Sequence, residues 1–387
     1  MDFSPISKPY IKQLFALCLL CLVQLQGQDI PHYTLDAQWD EATDSFDITQ
    51  KIKFQNTGQK PLDTLYLNDW AHAYSSTKSP LANRLAEEFN RSFYLSKKSK
   101  RGYTEIKKLR VSNGENQWKR LDPQLDIIVI PLDSPIEAGE AVEMDLHYTV
   151  KLPNGKYTGY GKLKKGAYFI ENFFLTLADF QSQKWQRMSN LDLEDIPYAK
   201  SNFDITLQLP QRYTVVANIN ALETLPQKDQ HRHRFQAQNQ REIIFHFGEH
   251  IAYKSYTLDT GILLSDFENK NSNETEVSRS LSKVNAFINE QLKQPTPTKQ
   301  LLSRKKYNKR PFMGLSLLPN SLRAYPNQFE FEIESLSVLL RSRINEYLNT
   351  ANREDFWFTE GLHFYLCLLY TSPSPRDLST SRMPSSA

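Results

Sequence analysis

Between Asp355 and Tyr365 the chain reads Asp-Phe-Trp-Phe-Thr-Glu-Gly-Leu-His-Phe-Tyr, placing a carboxylate, a glycine and a histidine among aromatic residues. As a helix, this stretch sets Glu360 and His363 one turn apart on one side, with Trp357, Phe364 and their apolar neighbours facing a core. A carboxylate and an imidazole at that spacing can share one metal ion or one water. The same pattern also fits a buried helix whose glutamate points to solvent.

The remaining histidines offer less. His231 and His233 fall in a polar hairpin tip, where exposed imidazoles are expected. His246 and His250 straddle Gly248 after a strand, so they do not share a helical face. The cysteines are Cys18, Cys21 and Cys367. The first two lie in an apolar run, Leu14 to Val23, that follows Lys8 and Lys12 and reads as the core of a signal peptide ending at Gly27. Such a run is too short to span a bilayer. An exported protein, periplasmic or extracellular and without a stable membrane span after cleavage, is the expectation.

At the other end, Cys367 to Asp377 and Ser381 to Ala387 resemble translated sequencing adapter separated by Leu378-Ser379-Thr380. Residues 367–387 are therefore expected to be artefact, and the natural reading frame to be cut after Leu366. That leaves no cysteine for disulfides, thiolate catalysis or a cysteine zinc site.

The elements that must position Glu360 and His363 follow from periodicity. From about His32 to Ile262 apolar residues recur at every second position: Tyr33, Leu35, Ala37 and Trp39; Phe46, Ile48, Ile52 and Phe54; Val142, Met144, Leu146, Tyr148 and Val150. The continuous run Ile127 to Ile130 predicts a strand buried on both faces. Many short strands between turn residues predict a sandwich of antiparallel sheets. Two interruptions stand out. Pro80 to Phe89 has helix-forming composition and leads to Lys97, Lys98, Lys100 and Arg101, readable as an anion or anionic-lipid site or as a solvated loop. Tyr157 to Asn190 is rich in aromatics and glycine, readable as a cleft rim or as an irregular crossover.

From about Asn271 the period becomes helical. Val277, Leu281, Val284, Ile288 and Leu292 predict one helix, and Phe329 to Leu348 a second. Lys305, Lys306, Lys309 and Arg310 between them read as a solvated connection, and Pro311 to Leu318 as a strand. A net charge of +3 and a mean hydropathy of −0.56 describe an ordinary globular chain, with no excess of basic charge that would argue for nucleic acid.

Trp357-Phe358-Thr359-Glu360-Gly361 followed by Tyr365 resembles the Trp-Leu-Asn-Glu-Gly helix of the gluzincin aminopeptidases, the family of membrane alanyl aminopeptidase. Tyr66-Leu67-Asn68 leading to Ala73-Tyr74-Ser75-Ser76, and Ala199 to Phe203 followed by Leu209-Pro210, are similar to that family's N-terminal domain, particularly its exported, bacteroidete-like variants. The resemblance implies zinc as cofactor, peptide or protein ligands, and Glu360 as a zinc ligand, with Asp355, Trp357 and Gly361 marking the motif. His363 is a further candidate ligand. The family's spacing places its H-E-x-x-H motif, two zinc-binding histidines and a general-base glutamate, at Ser337-Val338-Leu339-Leu340-Arg341, so no catalytic residue is assigned. Its amine-binding Gly-x-Met-Glu-Asn segment falls near Asn320 to Asn327, which contains no glutamate.

The expected fold is therefore mainly β, an N-terminal sandwich at 28–266, followed at 267–366 by a truncated α+β thermolysin-like domain. The expected function is that of a metallopeptidase-family protein, inactive as it stands. The alternatives are an active zinc peptidase with unconventional ligands and a secreted non-enzymatic β-sandwich binding module.

Overall fold

The computed structural model describes residues 30–112, 114–193, 195–196, 198–259, 261–267, 272–294, 297–312, 327–348 and 353–371. The leader-like segment, residues 372–387, most of the strand expected at Pro311 to Leu318 and nearly all of Asn320 to Asn327 lie outside them.

In strand His32–Asp40, Tyr33, Leu35, Ala37 and Trp39 are buried while Thr34, Gln38 and Asp40 are exposed, the alternation a half-buried sheet requires. This strand pairs antiparallel with Ser45–Gln55 and parallel with Ser201–Pro210, Leu35 opposite Ile205. It thus lies inside an eight-stranded sheet ordered Asn220–Pro226, Gln230–Gln240, Ser201–Pro210, His32–Asp40, Ser45–Gln55, Ala141–Lys151, Tyr103–Val111 and Gly114–Glu115. Two four-stranded sheets share its core. One is built around Ala167–Glu171 and Ile244–Gly248, the other around Leu62–Asn68 and Ile127–Ile136. Between the layers, Trp39 packs edge-on against Tyr168 and Phe247, ring centroids 4.7 and 5.2 Å away. Ile127, Ile128 and Ile130 are wholly buried, as their continuous run demands. The aromatic crossover supplies core residues, Tyr157, Tyr160, Tyr168, Phe173 and Phe174, while Thr158, Gly159 and Phe169 line a small hollow beside Lys305.

The gap in the Phe46, Ile48, Ile52, Phe54 alternation is Gln50, buried at an inward position. Its Nε2 donates to the Leu175 carbonyl at 2.7 Å and its Oε1 accepts from the Tyr148 hydroxyl, which in turn accepts from the Leu175 N–H at 3.1 Å. This closed triangle satisfies buried polar atoms of the large sheet and of the crossover together. Gln50→Leu fills the space but leaves the Tyr148 hydroxyl without its acceptor. Chemical denaturation should show a loss of about 1–3 kcal/mol.

A second core gathers the three-stranded sheet Lys254–Leu258, Gly261–Ser265 and Lys299–Leu302 with helices. The helices, in chain order, are α1 Pro80–Glu87 and α2 Arg91–Tyr94 in the sandwich, then α3 Glu274–Leu292, α4 Arg304–Lys309, α5 Asn327–Tyr347 and α6 Phe356–Thr371. Tyr256, Leu258 and Leu263, which their alternation grouped with the sandwich, pack in this second core. Asn273 and Glu276 form a reciprocal cap at the start of α3, each side chain accepting from the other's backbone N–H at 2.9 and 3.1 Å.

The two units are stapled by charge. Lys306 binds Glu242 at 2.7 Å, Lys309 binds Asp192 at 2.8 Å, and Lys299 donates to the Ile219 carbonyl at 2.8 Å. Arg353 pairs with Asp195 and donates to the Ser189 carbonyl at 2.9 Å. Most of the basic stretch on α4, expected as a solvated connection, is therefore interface: the Lys306 and Lys309 side chains are largely buried, and only Lys305 is exposed. His246 meets the Tyr253 hydroxyl at 2.9 Å at the same junction.

Burial, and secondarily the charge of Lys305, pushes the His246 pKa from 6.5 down to about 4. The folded state then holds fewer protons than the unfolded state between those values. The stability this imidazole contributes is complete above about pH 6.5 and is lost as pH falls toward 4. His72 and His233, pushed down to about 4 chiefly by burial, act in the same direction. Asp126, raised to about 6 by burial, acts oppositely. The test is therefore the difference between proteins: by urea unfolding His246→Asn should lose less stability than the parent as pH falls through this window. An unchanged slope would assign the effect to other groups.

Candidate metal centre

Helix α5 runs through the middle of the second core, with every residue from Glu330 to Leu340 buried. Glu332 survives there because it is bonded. The Glu332 carboxylate accepts from Ser280 at 3.0 Å, Lys283 at 2.8 Å and Tyr370 at 2.7 Å. Burial pushes its pKa up, but these bonds outweigh it and hold the group below the usual carboxylate range.

Helix α6 presents Thr359, His363, Leu366 and Cys367 inward, a stripe at i, i+4, i+7 and i+8. That stripe reverses the facing expected from the sequence. Trp357 is 73% exposed and Phe364 43%, because Phe364 stands about 100° round the helix from the buried His363. Asp355 and Gly361 are also at the surface.

Glu360 and His363 are brought together, and what they meet is Arg341. Its Nε and Nη2 donate to the two Glu360 carboxylate oxygens at 3.2 and 3.1 Å, the two-pronged geometry that suits a guanidinium. Nη2 also lies 3.4 Å from His363 Nδ1. On the far side of that ring, Nε2 is 3.0 Å from the Ser337 carbonyl oxygen and 3.2 Å from Ser337 Oγ. A proton on Nε2 donated to the carbonyl leaves Nδ1 to accept from Arg341, a consistent tautomer for the buried imidazole. Arg310, stacked on the Phe356 ring at 4.8 Å, adds a second guanidinium to Glu360 at 3.3 Å. Nothing in the sequence pattern around Arg310 signalled this role.

Ser337 and Arg341, one turn apart on α5, thus face Glu360 and His363 on α6. Zinc needs three protein donors with free lone pairs and an open position. Arg341 and Arg310 have none to give. Cys367 lies 3.7 Å from His363, but burial pushes its thiol up to about 12, so it stays protonated. Among the described residues no three His, Cys, Asp or Glu side chains converge on a point suited to a metal. The donor set does not fit zinc.

The other histidines are elsewhere. His231 and His233 lie within strand Gln230–Gln240 and not at an exposed tip; His233 is buried, 3.1 Å from the Thr224 hydroxyl. His250 is exposed, apart from the buried His246.

A β-sandwich is thus followed by an α+β unit in which two facing helices carry positions 337, 341 and 360. The Peptidase M1 N-terminal domain matches residues 30–241, more than half of the 387-residue chain, and the chain belongs to that family. No curated protein matches it significantly. Among solved structures, a two-domain M1 zinc metallopeptidase mutant bound to L-arginine is similar, with 13% identity and a TM-score of 0.52 over 92% of this chain and 72% of the other. The M1 zinc metallopeptidase from Deinococcus radiodurans is similar at 13% identity, with a TM-score of 0.51 over 89% and 72%. A mutant from the same organism, bound to a Tyr-Ser-Ala substrate, gives 13% and 0.51 over 92% and 73%.

Removing Glu360 leaves two guanidiniums facing each other, whereas removing Arg341 still leaves Glu360 with Arg310. Glu360→Ala should therefore cost more stability than Arg341→Ala, by chemical denaturation, with a loss of about 1–3 kcal/mol for the former. Equal losses would mean that Arg310 contributes nothing to the cluster.

Proposed function

We propose that this chain is a non-catalytic member of the M1 family, acting by binding a peptide or protein and not by hydrolysing it. The observation that carries this reading is the Arg341–Glu360 pair. The carboxylate that would hold a metal is occupied by a fixed cation, and Arg341 and Ser337 stand where the resemblance expects imidazoles. A guanidinium holds charge at the same place, but offers no exchangeable site for water and no lowered water pKa. Without these no metal-bound nucleophile is available, and Val338 stands where the resemblance expects the general-base glutamate. Peptide and amino acid ligands of the similar structures support a peptide-like ligand class. The leader-like N-terminal segment supports action outside the cytoplasm.

The purified chain should hold well below stoichiometric zinc by elemental analysis and should leave aminoacyl reporters intact. Ser337→His with Arg341→His, plus His363→Ala to clear space beside position 337, should bind zinc through those imidazoles and Glu360. Stoichiometric zinc in the parent protein, removed by chelator with loss of reporter cleavage, would sink the proposal in favour of an active peptidase with unconventional ligands. A fragment of the sandwich alone that folds and retains all peptide binding would favour a β-sandwich binding module.

A further inference from the structure

The segment joining α1 to strand Tyr103–Val111 carries an arrangement that neither the sandwich core nor the α5–α6 cluster uses. Phe93 on α2 is its anchor, fully buried against Tyr74 and Tyr157. Around that anchor three large apolar side chains point outward: Phe89 at 88% exposure, Leu95 at 74% and Tyr94 at 62%. Phe89 also has a φ of +60°, a left-handed conformation that a bulky L-residue adopts only at a cost. Both its backbone and its ring are thus held in an unfavourable state in water.

Charge surrounds these side chains. Residues 89–101 contain five basic residues, Arg91, Lys97, Lys98, Lys100 and Arg101, and no acidic one. Arg101 is tied inward, donating to Ser96 Oγ at 2.9 Å and to the Ser96 carbonyl at 2.8 Å. Arg91, Lys97, Lys98 and Lys100 are exposed, and none of the ion pairs among the described residues involves them. The outer face of the large sheet behaves differently. There Lys51 pairs with Glu143, Lys107 with Asp47, Arg232 with Asp36 and Arg234 with Glu223. Unmatched positive charge is thus concentrated beside exposed aromatic and aliphatic side chains. Glu87 ends α1 and Glu88 follows it ahead of the patch, and Glu88 is paired with Arg84.

We propose that residues 89–101 form a peripheral docking site for an anionic lipid surface. Phe89, Tyr94 and Leu95 would enter the headgroup–acyl boundary, and Arg91, Lys97, Lys98 and Lys100 would meet lipid phosphates. An apolar wedge bordered by lysines suits a membrane better than it suits a protein groove. The wedge needs a yielding apolar medium, and the flexible lysines need a diffuse field of negative charge. The attachment is peripheral: among the described residues no helix is long and apolar enough to cross a membrane.

Cosedimentation of the full chain with phosphatidylcholine vesicles, with and without phosphatidylglycerol, tests this. The parent protein should bind the anionic vesicles at least roughly tenfold more tightly, and added salt should weaken that binding. Lys97→Glu with Lys98→Glu should abolish the preference. Phe89→Gly should weaken binding to anionic vesicles by roughly tenfold while leaving the thermal midpoint unchanged or higher, since glycine accepts the left-handed backbone. The two variant comparisons keep the apolar Leu14 to Val23 run common to all, so they assign any anionic preference to residues 89–101. Equal binding to both vesicle types, or unchanged binding by either variant, overturns the proposal. So does retention by an acidic polypeptide with no vesicle binding, which would assign the patch to a protein partner.

Discussion

The second unit is organised by where the positive charge between α5 and α6 is fixed. Glu360 is only partly shielded from solvent, yet it faces a helix whose central turns are entirely buried. A cation beside it offsets what solvation is lost as α6 packs there. In this chain the cation is covalent: Arg341 reaches across from α5 and grips both carboxylate oxygens, with Arg310 from the end of α4 as a second partner. A metal would tie three side chains at one point. The guanidinium ties its own helix to one carboxylate and, through its remaining donor, to the imidazole one turn along. The helix pair is docked through these charge-assisted bonds.

The same use of cations recurs at the boundary between units. Lys306, Lys309, Lys299 and Arg353 all leave the second unit to meet carboxylates or carbonyls of the sandwich. A small apolar seam, in which Phe169 and Ile244 of the sandwich meet Leu301, lies beside these contacts and contributes more cohesion per residue than they do. They are directional, however, and fix the orientation of α4 and of the turn before α6. Arg310 follows α4 and Arg353 precedes α6, so the geometry around Glu360 depends on that orientation. The sandwich and the cluster are in this sense coupled through salt bridges.

Much of the sandwich was legible because its signal is local. Alternation from Tyr33 to Trp39 and from Val142 to Val150 states which face is inward, and the Ile127–Ile130 run states that both are. The silent position in the second strand was Gln50, whose burial makes sense only once Tyr148 and Leu175 are beside it. The helical half was legible in position but not in facing. The existence of α6 followed from its composition. Which of its nearly continuous apolar residues faced α5 did not, so Trp357 turned outward against expectation. Charge was the least legible property. Lys306 and Lys309 look like any solvated lysines until Glu242 and Asp192 arrive from far away in the chain. The family resemblance put Arg341 at a position where that family has a histidine, but its two-pronged grip on Glu360 was not legible.

Strand His32–Asp40 bears on how the chain is made. One edge of it finds its partner at once, in the hairpin with Ser45–Gln55. The other edge is closed only by Ser201–Pro210, in parallel register, after more than a hundred and fifty further residues. Emerging from the ribosome, the strand therefore presents an open row of amide and carbonyl groups beside an apolar face for most of the synthesis of the sandwich. That is a template for pairing with any neighbouring nascent chain. The topology makes the fold's earliest strand one of its last to be sealed, and leaves protection of that edge to whatever receives the chain before residue 210 appears.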